Sequence, residues 1–257
     1  MISMPFRSIT PSTANFNSDA SYKLVTMYEE ALKSDIRANG ARAHSRAFAP
    51  SSMRCKRKSW FRLRGAEPDF IAEPDLTLDH TATVGTALHA HIQELLSNTL
   101  GADWIDLEWY LKEFPIPYVY KLRKNGYETN IKIENPPISF ACDGIIRLQG
   151  CYYLLEIKSS EYNSFLDLKE TKEHHKEQIR TYATMLNIPH VLTLYIDRMY
   201  GRVKSFEFSV SESEMSIIKQ DMAYVQQMAA ANIAPEKLPT GDYMCSNCEY
   251  KLKCKEW

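Results

Sequence analysis

No apolar run in this 257-residue chain approaches the roughly 18 residues that cross a bilayer, so no membrane association is expected. Glycine is scarce at 9 residues, and there is no internal repeat or low-complexity tract, which excludes collagen-like, solenoid and linker-dominated architectures. Neither sign of charge dominates: the formal net charge is −1. A surface for nucleic acid must therefore come from local segregation of charge, not from a global field. The opening stretch MISMPFRSITPSTANF holds no continuous apolar core of the kind a secretory signal needs. The expectation is a cytoplasmic, reducing setting, in which six cysteines serve as metal ligands or small buried residues and not as disulfides.

What is present is a globular composition, 44% hydrophobic and 25% charged, long enough for one sizeable core. Residues 1–20 read as an irregular lead-in, and 21–38 as an amphipathic helix through Leu24, Met27, Tyr28, Ala31 and Ile36. Residues 41–53 read as a linker. Thr81 to Leu96 carries apolar positions three and four apart and predicts a helix. Residues 108–118, ending in Phe-Pro-Ile-Pro, read as an edge strand. Two apolar strands follow, ISFACDGIIRL and CYYLLEIKSS, joined by a tight turn at Gln149–Gly150. A helix is expected over 170–187, with Ile179, Tyr182, Ala183 and Leu186 on one stripe. Two strands meet around Gly201, and a helix over 211–232 is capped by Ser211 or Ser213. The order predicts an α/β fold with a mixed central sheet flanked by helices. Residues 1–45 form an extension with one helix, and 46–257 form the main domain.

Glu156 and Lys158 lie two apart on the second apolar strand, so their side chains leave the same face. A hairpin turning at 149–150 sets Asp143 across from Glu156, because each stands six residues from the turn. The flanking Tyr152, Tyr153, Leu154, Leu155 and Ile157 make this strand central, where charge is costly unless paired or bound to metal. Two carboxylates and an ammonium converging on one point can hold a divalent cation and orient a water toward phosphate. The competing reading is an ordinary Glu–Lys pair on a solvated face.

The stretch DGIIRLQGCYYLLEIKSS resembles motifs II and III of the RecB-like PD-(D/E)XK nucleases. Gly85-Thr86-Ala87-Leu88-His89 matches their G-x-x-x-H helix motif, and Gln178 with Tyr182 matches their Q-x-x-x-Y, all in the family's order. The resemblance implies a restriction-endonuclease-like core. In it Asp143, Glu156, His89 and the backbone carbonyl of Ile157 would hold Mg²⁺ or Mn²⁺, imidazole suiting manganese better. Asp143, Glu156 and Lys158 would be the catalytic residues, with Lys158 positioning water or stabilising charge on phosphorus. Gln178 and Tyr182 would brace the site or touch the DNA backbone. His91, His174 and His175 have no motif support and are read as surface residues.

Cys245-Ser-Asn-Cys248 is a C-x-x-C, with Cys254 after five further residues and Cys55 far upstream. Spacing leaves zinc and an iron–sulfur cluster open. One cysteine plus three, flanking such a core, is similar to the RecB-like iron–sulfur exonucleases. These include CRISPR-associated exonucleases of the fourth Cas family and the AddB nuclease domain. That likeness implies a [4Fe–4S] cluster on Cys55, Cys245, Cys248 and Cys254, clipping the two ends of the domain together, with structural zinc as the alternative. Cys142 and Cys151 are read as buried apolar residues.

Six of the residues from Arg54 to Arg64 are basic: Arg54, Lys56, Arg57, Lys58, Arg62 and Arg64. With Lys251, Lys253 and Lys255 they are expected to form one DNA-binding patch, and Trp60, Phe61 and Tyr250 to stack on exposed bases. The competing reading is a solvated helix face. Lys121, Arg123 and Lys124 make a second, weaker basic loop. The leading expectation is a metal-dependent deoxyribonuclease, an exonuclease acting on single-stranded or end-containing DNA in repair, recombination or phage replication. Alternatives are a CRISPR spacer-adaptation nuclease, a structure-specific endonuclease, and a non-catalytic DNA-binding or assembly module. Residues 1–45 could meet a protein partner.

Overall fold

The structure is a computed structural model that describes residues 19–40, 46–69, 75–246 and 248–256. The lead-in before residue 19 lies outside the described residues. The chain divides into two compact units: Met1–Arg42 with Ala72–His80, and Ala43–Ile71 with Thr81–Trp257. The smaller unit contains α1 (Asp19–Gly40), on which Tyr22, Leu24, Val25, Met27 and Tyr28 are exposed. Within that unit the Tyr28 hydroxyl meets His80 Nε2 at 3.2 Å and the two rings stack.

The larger unit begins with α2 (Lys56–Leu63), followed by α3 (Leu76–Leu100), whose residues up to His80 belong to the smaller unit. Next come β1 (Trp104–Ile105) and α4 (Leu107–Glu113). The expected edge strand over 108–118 is thus a helix for most of its length. Asp106 caps it by accepting from the Trp109 amide, and Leu107, Tyr110 and Leu111 recur at helical spacing and are buried. The two prolines that suggested an edge strand lie just beyond its end.

A three-stranded antiparallel sheet contains β2 (Tyr120–Asn125), β3 (Glu128–Ile133) and β4 (Ile138–Cys142). The main sheet is mixed, in the order β1, β5 (Gly144–Leu148), β6 (Cys151–Ser160), β7 (His190–Asp197), β8 (Val203–Ser209). The segment ISFACDGIIRL is therefore not one strand. It breaks at Asp143 and serves two sheets. Gly144 makes the break close: a Cβ there would lie 2.7 Å from the Trp104 ring. Gln149 and Gly150 form the turn, both at positive φ.

Strands β6 and β7 run parallel, which requires a crossover. It is made by α5 (Tyr162–Leu166) and α6 (Glu173–Leu186). Helix α7 (Glu212–Ala231) follows β8, started by a capping box between Ser211 and Glu214, and α8 (Lys253–Glu256) closes the chain.

The core explains which way the site faces. Leu155 and Ile157 pack with Ile92 of α3 and Ile146 on one face of the main sheet. Leu154 packs on the other face with Ile179, Tyr182, Ala183 and Leu186 of α6 and Val191. By alternation Glu156 and Lys158 leave the α6 face. Trp60, Phe61 and Tyr250 are core residues, at 1%, 3% and 0% exposure, with Phe61 and Tyr250 stacked. They are not available to bases. Burial of the Phe61 ring stabilises the fold by roughly 1.5–3 kcal/mol. Cys142 is buried as expected, whereas Cys151 is exposed, because it sits directly after the turn at the open end of β6. Among the described residues no helix is long and apolar enough to cross a membrane.

Candidate metal-binding active site

The site assembles where the chain passes from one sheet to the other. The β5–β6 ladder ends at the Gly144–Leu155 pair, and one step further sets Asp143 beside Glu156, the register that the turn dictates. Beyond the ladder the Ile157 amide donates to Asp143 Oδ2 at 2.6 Å. Asp143 Oδ1 lies 3.3 Å from Nδ1 of His89 on α3. Gly85, one turn before His89, lets that helix approach β6: a Cβ there would stand 3.2 Å from the Ser159 hydroxyl.

Glu156 is 4% exposed. Its Oε1 accepts from Lys158 Nζ at 2.6 Å, while its Oε2 is buried with no hydrogen-bond partner. Lys158 Nζ also reaches Gln178 Oε1 at 3.3 Å, and the Gln178 amide donates to the Tyr182 hydroxyl. Glu156, Lys158, Gln178 and Tyr182 therefore form one hydrogen-bonded chain, beside the linked Asp143, His89 and Ile157. Tyr182 also stacks on Phe140 of the second sheet, rings 4.8 Å apart, so it is both a core residue and the end of this chain.

Two participants were not legible in the sequence. Glu128, at the start of β3, brings a carboxylate oxygen into a group with His89 and Asp143 whose ligand atoms all lie within 4.8 Å of one another. Gln93, one turn after His89, is buried and donates to the Asp143 carbonyl at 2.7 Å. The helical spacing of His89 and Gln93 is the one signal that could have found the latter.

Burial pushes the Glu156 carboxyl up, and the neighbouring Asp143 charge adds to that; Lys158 opposes both without cancelling them. Burial and Asp143 likewise raise Glu128. Burial pulls the His89 imidazole down, but the hydrogen bond and charge of Asp143 outweigh it and its pKa is raised. The site thus concentrates negative charge in a desolvated place, an arrangement that favours a cation. His175, read as a surface residue, is instead half-buried, its Nδ1 2.6 Å from the Tyr195 hydroxyl. Burial, then the charge of Lys158, hold its pKa down at about 3.

Cys55 stands at the N-cap of α2, and Cys55, Cys245, Cys248 and Cys254 together line one cavity of about 210 Å³. All four are free. Asp69 ties the tail down nearby, accepting from the Leu252 and Lys253 amides and from Lys253 Nζ.

The basic run is largely spoken for. Arg54 pairs with Asp242, Lys56 with Asp221 and Lys58 with Glu249, each at 2.6 Å, and Arg62 reaches Glu249 at 3.8 Å. Arg57 is buried, donating to the Pro235 carbonyl at 2.6 Å and the Cys254 carbonyl at 3.4 Å. Arg64 lies over the Trp60 ring. Arg57 and Lys58 face the cysteine cavity.

No protein-family model and no curated protein matches the chain. Among solved structures it is similar to one titled SSO0001, with 16% identity and a TM-score of 0.49, covering 90% of this chain and 97% of that one. It is also similar to an alkaline exonuclease from Laribacter hongkongensis, with 13% identity and a TM-score of 0.42, covering 75% of this chain and 91% of that one.

Proposed function

We propose that this protein is a divalent-metal-dependent nuclease of the PD-(D/E)XK type that hydrolyses phosphodiester bonds at DNA ends. The observation that carries the reading is the meeting of Asp143, Glu156, Lys158 and His89 at the junction of two sheets. The residues present suit a hard cation. Glu156 keeps one buried oxygen without a partner, and His89, Glu128 and Asp143 bring their ligand atoms within 4.8 Å of one another. His89, Asp143, Glu156 and the Ile157 carbonyl would hold Mg²⁺ or Mn²⁺, with Glu128 beside them. When bound, the cation supplies Lewis-acid activation of water and charge neutralisation at phosphate. The chain's own contribution is placement. Gln178 and Glu156 fix the Lys158 ammonium between them, so it faces a scissile phosphate as an oriented donor without reorganising.

The four cysteines would hold a [4Fe–4S] cluster. Supporting this are the cavity that Cys55, Cys245, Cys248 and Cys254 line together and the one-plus-three spacing of the cysteines; a structural zinc on the same four thiols is the alternative.

The test is digestion of end-labelled single- and double-stranded DNA with Mg²⁺, Mn²⁺ or chelator. The reading expects metal-dependent shortening from an end that Glu156→Gln lowers by at least a hundredfold in a protein folded by circular dichroism. Wild-type cleavage by that variant would overturn it.

A further inference from the structure

Two arginines outside the run at 54–64, Arg198 and Arg202, stand together beside the end of β6. At the end of β6, two residues past Lys158, the Ser160 carbonyl accepts from the Arg198 amide, and Arg198 Nη1 reaches the Ser159 hydroxyl at 3.4 Å. Arg198 begins the turn between β7 and β8. Asp197, 1% exposed, builds that turn by accepting from the Met199 and Tyr200 amides, and Gly201 completes it at positive φ. Tyr200 is left 55% exposed on the turn, 4.9 Å from the Tyr162 ring and edge-on to it. The Arg202 guanidinium lies over both rings, 5.6 Å from Tyr162 and 5.3 Å from Tyr200. Among the described residues no carboxylate stands within 4.0 Å of Arg198 or Arg202. Glu161 borders the group, but its carboxylate caps α5 through the Asn163 and Ser164 amides.

Two guanidiniums with no carboxylate within 4.0 Å, Arg198 sensing the Glu161 charge from further off, stand beside two tyrosine rings on a braced turn and match the chemistry of a single nucleic-acid strand: phosphates for the cations and base faces for the rings. The distance suits it too. Two residues of strand place Ser160 about 7 Å from Lys158, one or two nucleotides away. We propose that Tyr162, Tyr200, Arg198 and Arg202 are the contact that guides single-stranded DNA into the active site. This rests on the nuclease reading for its direction, though not for its measurement.

The experiment is fluorescence anisotropy of a labelled single-stranded oligonucleotide with the full chain in EDTA, so that nothing is cut, across a salt series. The double variant Arg198→Ala/Arg202→Ala should weaken binding and flatten the log–log salt slope by about 1.4, at about 0.7 per contact. Tyr200→Ala should lose roughly tenfold in affinity and Tyr200→Phe should retain it, because stacking needs the ring and not the hydroxyl. An unchanged slope in the double variant would overturn the proposal. So would equal losses in the two Tyr200 variants, or wild-type protein that binds duplex but no single strand. Binding that behaves as expected in a protein without metal-dependent cleavage would sink the nuclease reading alone.

Discussion

The buried side-chain amide of Gln93 donates to the backbone carbonyl of Asp143 at 2.7 Å, while His89, one turn earlier on the same helix, touches the carboxylate of that residue. One helix thus holds both ends of the aspartate at which the chain changes sheets. Gln93→Leu leaves that carbonyl buried and unsatisfied, a cost of about 1–3 kcal/mol. Urea denaturation should show the loss, and calorimetric titration with Mn²⁺ should show weaker binding as Asp143 loses its anchor. Unchanged stability and affinity would make Gln93 a bystander.

Lys158 and Glu156 are 17% and 5% exposed in their side chains and share a 2.6 Å contact, so neither can be removed alone without consequence. Lys158→Met should abolish cleavage and destabilise the fold, because it strands a buried carboxylate. Adding Glu156→Gln to it should restore part of the stability and none of the activity. Additive stability losses in this double-mutant cycle would show that the two side chains do not interact.

Cys248 lines the cavity with three other cysteines. Protein purified without oxygen should carry broad visible absorbance and about four irons per chain, the composition of a [4Fe–4S] group. Cys248→Ser should bleach it and lower the melting temperature. Colourless protein with one zinc per chain would refute the cluster and leave the nuclease argument standing.

His175 yields a pH dependence. Its folded pKa is depressed to about 3 from the ordinary 6.5, through burial and then the charges of Lys158, His174 and Lys172. The Tyr195 hydroxyl accepts from the Lys172 amide and meets His175 Nδ1 at 2.6 Å. Between those two values the unfolded chain binds the extra proton. This group's contribution is therefore fully present above about 6.5 and is lost as pH falls toward 3, by about 1.4 kcal/mol per unit at most. The stability advantage of wild type over His175→Gln should shrink between pH 7 and pH 4.5 in urea titrations. A constant difference would mean that His175 titrates normally.

Sequence alone reached the residues whose arrangement is local. Glu156 and Lys158 share a face because they are two apart on a strand, and Asp143 meets them because the turn at 149–150 fixes the register. Gln178 and Tyr182 meet through helical spacing. Glu128 escaped because it lies in the other sheet, and only the pairing of β3 with β4 brings it level with Asp143. The basic run was legible as charge but not as charge already partnered, since Asp221, Asp242 and Glu249 lie far along the chain. Trp60 and Phe61 were read with their basic neighbours, although a helix of eight residues can bury one side and expose the other.

The partnerless Oε2 of Glu156 has a further consequence. Thr193 lies opposite Glu156 on β7, but its hydroxyl is engaged with Thr171 at 2.7 Å. The sheet offers that oxygen no internal relief, so the proposed cation, in satisfying it, would act as part of the fold's own cohesion. Folding stability would then depend on the surrounding solution, rising by about 2.7 kcal/mol at a hundred times the dissociation constant. A chelator would behave as a mild denaturant toward a protein whose covalent structure it never touches.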